Sequence, residues 1–303
     1  MSSSSPNQPS QKSISGVICG ASAFLIWGIS PLYWKLLMSV PALQIAAHRV
    51  VWSFVFVLPI VVFGKRKSEL FSTLIDLRAM ALLALTSLLV GCNWLTYIWA
   101  INSGYLLQAS LGYYINPLVN VLLGTVFLKE RLRSYQSVAV ILAGTGVLYL
   151  TVVYGQFPWI ALLLAFTFGF YGLIRKVIQV GSLTGLAMET LLLTLPALGY
   201  LAYADYQNIG AFLNLQVGID LLLVGTAFIT AIPLVLFAMG ARRVQLTTLG
   251  FLQYIGPSGM FLMAVFLFKE PFRPEQLICF ILIWTALVLY SIDSLIHYRK
   301  TKT

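Results

Sequence analysis

Three ionisable side chains lie well inside otherwise apolar stretches: His48, Arg49 and Glu189. Such groups are expensive in a low-dielectric surround and normally face a cavity or a partner. A histidine titrates near neutral pH, and a partly desolvated carboxyl can exchange protons in the same way. His48 and Glu189 are therefore the candidates for carrying a coupling proton. Arg49 could hold an anionic substrate group, or it could snorkel or form a structural ion pair. The plainer readings are a helix–helix hydrogen bond for His48 and an ion pair with Arg175 or Lys176 for Glu189.

A second set consists of polar aromatic and amide residues at helical spacings. It comprises Trp27, Tyr33, Trp34 and Lys35; Asn93, Trp94 and Tyr97; Tyr113, Tyr114 and Asn116; and Gln253 and Tyr254. Tyrosine and tryptophan can stack on planar substrates and still donate a hydrogen bond, or they can mark the interfacial belts of a membrane protein. Two prolines follow, Pro117 and Pro257. Each removes a helical hydrogen bond and frees a carbonyl, so both are candidate hinges. Lys129-Glu130 and Lys269-Glu270 end the same two segments. A cation there suits the helix dipole, which sets a capping or topology role against a gating role. The three cysteines, Cys19, Cys92 and Cys279, have no metal-ligand or disulfide spacing, and neither a metal nor a cofactor is expected.

The elements that position these groups follow from composition. The 303 residues are 59% hydrophobic and 9% charged, whereas soluble domains are about 25% charged. A soluble enzyme and a nucleic-acid partner are excluded on that ground; the partners expected are a lipid bilayer and a small-molecule substrate. Continuous apolar runs predict ten membrane-spanning helices, an all-α integral membrane fold, over 15–37, 41–63, 77–101, 106–127, 134–154, 157–177, 183–203, 217–239, 245–268 and 275–296. Residues 1–13 read as a disordered tail and 299–303 as a basic one. If the N-terminus is cytoplasmic, fifteen of the nineteen Lys and Arg residues fall inside; Lys35, Lys269 and Arg273 fall outside, and Arg49 within a span. That bias supports cytoplasmic N- and C-termini. On this arrangement His48 and Glu189 sit in opposite leaflets, roughly 10 Å apart along the membrane normal. They are expected to flank a central cavity from its two ends without a direct ion pair.

The chain also repeats itself. Tyr114, Pro117, Lys129, Glu130, Arg133 and Gln136 recur at an offset of 140 as Tyr254, Pro257, Lys269, Glu270, Arg273 and Gln276. At an offset of 141, Gly28 pairs with Gly169, Lys35 with Lys176 and His48 with Glu189. Residues 14–154 and 157–298 are thus two five-helix repeats. Five is odd, so the repeats are inverted, as in secondary transporters whose site lies between the halves. Gly144 and Gly146 suit close helix packing and place the fifth and tenth helices at the periphery, where a homodimer could form.

Five segments carry a likeness to a known family: WGISPLYWKLL (27–37), AAHRVVWSFVF (46–56), SLGYYINPLVNVLLGTVFLKERL (110–132), FGFYGLIRK (168–176) and LQYIGPSGMFLMAVFLFKE (252–270). The chain resembles the EamA-type transporters of the drug/metabolite transporter superfamily, and within them the RarD group. Pro271 stands where the second hallmark would have Arg. The resemblance implies a ten-helix carrier of small metabolites or drugs in a bacterial inner membrane, often an exporter. No nucleotide-binding loop is present, so ATP is not its direct energy source. A lipid-modifying membrane enzyme and a passive channel are the competing readings; the chain has none of the His or paired-carboxylate motifs of the former.

Overall fold

The structure is a computed structural model that describes residues 11–103, 105–155, 157–267 and 274–300. Lys269, Glu270 and Arg273, and most of both tails, lie outside the described residues. The described residues form helices joined by short loops and turns. The first span is α1 (Gln11–Ile29) with a short continuation α2 (Pro31–Lys35); the second is α3 (Ala42–Val62). A short helix α4 (Lys67–Ile75) precedes α5 (Leu77–Asn102), α6 (Leu106–Phe127) and α7 (Ser134–Tyr154). The second half holds α8 (Trp159–Val177), α9 (Ser182–Tyr206) and α10 (Val217–Ala241). Its fourth span is assembled from α11 (Leu246–Gln253), α12 (Ile255–Leu262) and a π-helical turn (Met263–Leu267), and the last is α13 (Pro274–Lys300). Eight helices among the described residues are long and apolar enough to cross a bilayer, and Leu111–Phe127 is a shorter apolar one. With the composite 246–267 segment these make ten crossings.

Three boundaries differ from the sequence reading. Helix α1 starts at Gln11, so residues 11–13 are helical rather than tail, and α13 continues to Lys300. Helix α4 has no counterpart among the ten runs, because its charged residues, Lys67 and Glu69, break the apolar pattern. The two repeat-related prolines act differently. Pro117 sits inside a continuous α6. Pro257 cannot bond back to the carbonyl of Gln253, and the helix breaks there at Tyr254 into α11 and α12.

Packing follows the repeat. Helix α1 packs on α10 and α12, and its counterpart α8 packs on α5 and α6. Helices α3 and α9, α6 and α11, and α7 and α13 each pack on their own counterparts. A two-fold relation between the halves demands this set of self-paired and exchanged contacts. The paired glycines occupy equivalent close approaches: a Cβ on Gly28 would lie 3.2 Å from the Gly256 carbonyl oxygen, and one on Gly169 would lie 2.7 Å from Val119 Cγ1. Gly146 serves the α7–α13 contact within the chain, with Cys279 O at 3.2 Å, whereas Gly144 has nothing within 4 Å. Only one of the two small residues therefore faces outward.

Candidate functional site

A cavity of about 210 Å³ opens between the repeats. Its walls come from the C-terminal parts of α1 and α5, from α2, from the N-terminal halves of α3, α6 and α8, from the α11–α12 break and from Leu234 of α10. Nine of the expected cavity residues line it: Trp27, Trp34, Arg49, Asn93, Trp94, Tyr97, Tyr113, Asn116 and Gln253. Pro257 lines it too.

Local chemistry explains how these residues are aimed. Pro31 has no N–H for the carbonyl of Trp27, and the Ser30 hydroxyl donates to that oxygen instead at 2.9 Å. The Trp34 indole N–H donates to Ser30 Oγ at 3.1 Å, which fixes the ring. Arg49 then lies between two indoles, with its guanidinium carbon 5.0 Å from the Trp34 ring centroid and 4.7 Å from that of Trp94. Each such contact contributes on the order of 0.5–2 kcal/mol. Arg49 Nε donates to Thr230 Oγ1 at 3.0 Å. Asn93 Nδ2 donates to the Leu164 carbonyl at 2.8 Å and to Thr167 Oγ1 at 2.9 Å, tying α5 to α8. The Tyr97 and Tyr113 rings meet edge to face at 5.7 Å.

The cavity ends on an aromatic layer. Trp27 contacts Phe24 (5.8 Å), Phe168 (5.8 Å) and Phe237 (6.0 Å), and Phe237 stacks on Tyr171 at 5.9 Å. Beyond it lies Glu189. Thr86 Oγ1 donates to its Oε1 at 2.7 Å, Tyr171 donates to Oε2 at 3.4 Å, and Arg175 Nε stands 3.7 Å away. Both partners of this ion pair are buried, at 2% and 0% exposure. Arg175 fits because position 185 is glycine: a Cβ there would lie 1.9 Å from Nη1.

Six expected lining residues are placed elsewhere. Glu189 is in the ion pair just described. His48 is buried against Phe212, ring centroids 5.1 Å apart, so the pair does not flank the cavity. Tyr33 donates to the Leu222 carbonyl in a separate apolar cluster. Lys35 ends α2 outside the cavity wall. Tyr114 and Tyr254 meet behind the wall, where the Tyr254 hydroxyl donates to the Tyr114 carbonyl at 3.2 Å. The amphipathic spacing marked these positions as polar within spans but could not say which way each faced.

Asn120 Nδ2 donates across the repeats to Oε1 of the lining residue Gln253 at 2.6 Å. On the opposite side the repeats are held shut. Glu130 accepts the backbone N–H groups of Leu246 (2.7 Å) and Thr247 (2.9 Å), a two-point cap on α11. Gly124 makes room for it, since a Cβ there would stand 2.7 Å from Glu130 Oε2. Lys176 lies 3.9 Å from Glu130 and donates to the carbonyls of Ala241 (3.1 Å) and Val244. Lys129 turns the chain into this cap with a left-handed backbone, φ 55°. Glu69 of α4, which sequence reasoning passed over, likewise accepts from Gly181 N and from Thr184 Oγ1 (2.8 Å) at the start of α9. Ser30, Pro31, Phe168 and Thr230 were also missed; of these only the Ser-Pro pair carries a local signal.

The profile of the EamA-like transporter family matches this chain twice, over residues 14–152 and 158–292. An uncharacterized transporter of Vibrio cholerae is 48% identical over 96% of this chain and 95% of its own. Protein RarD of Escherichia coli is 43% identical over 94% of this chain and 97% of its own. The chloramphenicol-sensitive protein RarD of Pseudomonas aeruginosa is 34% identical, with coverages of 94% and 96%. A protein crystal structure at 18% identity superposes over 96% of this chain and 99% of its own with a TM-score of 0.71, a likeness of fold alone.

Proposed function

The chain belongs to the EamA-like transporter family of multi-pass membrane proteins, and from that premise we propose that it is a secondary carrier of small organic metabolites or drugs working by alternating access. One observation carries the reading. The cavity lies between the repeats and draws on one end of their helices, while bonds cross from one repeat to the other, Asn120 to Gln253 at the cavity wall and Glu130 to Leu246 at the other end. An inverted repeat supplies two such states, because exchanging the conformations of the halves exchanges the open and closed sides. The Lys/Arg bias supports an inner-membrane orientation with both termini cytoplasmic. In that orientation the cavity faces outward, and the Glu130 face is cytoplasmic.

Counterflow in proteoliposomes tests this against a channel. A labelled metabolite chosen by thermal stabilisation of the purified protein is expected to enter faster when unlabelled metabolite is present on the trans side. Flux indifferent to trans substrate would favour a channel instead.

A further inference from the structure

The substrate class is legible at Arg49. Among the described residues lining the cavity, Arg49 alone is charged. Two other arginines in the molecule are paired with carboxylates: Arg133 with Asp293 at 2.6 Å and Arg175 with Glu189 at 3.7 Å. Arg49 is not. Among the described residues no carboxylate comes within 4.0 Å of it, and its one hydrogen bond runs from Nε to the neutral Thr230 hydroxyl. The Arg49 guanidinium carbon lies over the Trp34 ring at 5.0 Å and over the Trp94 ring at 4.7 Å, contacts that use none of its N–H donors. Ring faces attract the cation without neutralising it. A planar fork held against two rings is suited to bidentate capture of a carboxylate.

We propose that the substrates are small monoanionic carboxylates bearing an aromatic or other planar apolar group, with the carboxylate on Arg49 and the planar part among Trp27, Trp94, Tyr97 and Phe168. This rests on the carrier reading of the cavity. A single cation in an otherwise uncharged wall suits one negative charge; a phosphate dianion would lack a second. The cavity, about 210 Å³, has room for a small metabolite such as one ring with a short acid arm.

The test uses the full-length protein and three acid–amide pairs: benzoate, 3-phenylpropionate and indole-3-acetate, each with its neutral primary amide. Equilibrium binding and thermal stabilisation at neutral pH are expected to favour at least one acid over its amide by about tenfold or more. Arg49→Gln is expected to erase that preference, the ratio of acid to amide affinity falling to about one, and Arg49→Lys to keep only part of it, since a point charge lacks the fork. The comparison in the unsubstituted protein stands even if Arg49→Gln fails to fold. Equal binding of acid and amide in all three pairs, no binding of any acid, or a preference that survives Arg49→Gln overturns the proposal. Counterflow separates the two layers. A bound acid that shows no trans-stimulated exchange counts against the carrier reading and leaves the site. Trans-stimulated exchange of a neutral or cationic metabolite that acids do not inhibit counts against the carboxylate class and leaves the carrier.

Discussion

The carboxylate of Glu130, at the end of one repeat's fourth span, accepts the backbone N–H of Leu246 at 2.7 Å and so caps the matching span of the other repeat. The same side chain bonds Thr247 N at 2.9 Å and lies 3.9 Å from Lys176. A loop residue thereby fastens the face opposite the cavity.

Glu130→Gln keeps the shape but removes the charge, and it sets an amide NH2 against one of the two backbone N–H groups that the two carboxylate oxygens accept. Charge-assisted hydrogen bonds are worth about 1.5–3 kcal/mol. The variant is expected to lose stability of that order and to spend more time open on this face. A cysteine placed at exposed Gln245, in a background lacking Cys19, Cys92 and Cys279, checks the second effect: its alkylation should quicken in the Glu130→Gln protein. An unchanged rate would mean that the cap does not hold the face shut.

The Glu189–Arg175 pair predicts a stability defect. Glu189→Gln leaves a fully buried guanidinium uncompensated, and breaking a buried pair costs about 3–5 kcal/mol. Glu189→Gln combined with Arg175→Met removes both charges and is expected to recover most of that loss. Thermal unfolding in detergent compares the three proteins. A single variant as stable as the parent would point away from a structural pair and back to a titrating coupling role for Glu189.

Lys129 has φ 55° directly after the C-cap of α6, a backbone that a side chain other than glycine adopts at a penalty of about 1–2 kcal/mol. Lys129→Gly should therefore raise the melting temperature without changing ligand affinity. A lower melting temperature would assign the lysine side chain a contact that outweighs its backbone strain.

Ser30 links Trp27 to Trp34 through two hydrogen bonds of 2.9 and 3.1 Å. Ser30→Ala frees the indole that covers Arg49, at a stability loss of about 1 kcal/mol. Ligand affinity should fall by about fivefold to tenfold, a larger effect than the change in melting temperature implies. Titration of a stabilising ligand against both proteins decides it, and equal affinities would show that Trp34 needs no such anchor.

Much of the architecture was readable because bilayer and repeat each leave a one-dimensional signature. Apolar runs marked the spans, and Pro117/Pro257, Gly28/Gly169 and Lys35/Lys176 gave the internal register. The site was readable as a set of spans rather than as a set of directions. Spacing singled out Arg49, Trp94 and Tyr113 within their spans, but the Trp34–Arg49–Trp94 contact joins three helices, and nothing local announces Thr230 as its fourth member. Glu189 failed as a cavity residue because its partner arrives from α8 across a four-residue turn at 178–181, and the pocket that admits Arg175 exists only because residue 185 is glycine. The break at Tyr254 shows a further limit: equivalent prolines gave a continuous α6 and a divided α11–α12.

The most direct test of alternating access is to bridge the closed face and measure exchange. In a background lacking native cysteines, Arg131→Cys and Gln245→Cys place two exposed thiols next to the Glu130 cap, where a short bis-methanethiosulfonate, which forms a disulfide with each thiol and is cleaved by reductant, can join the loop after α6 to the start of α11. Counterflow should fall to background when the bridge is intact, return when it is cleaved, and be unaffected in either single-cysteine protein. Undiminished exchange through an intact bridge would contradict the account, since substrate would then pass without that face opening.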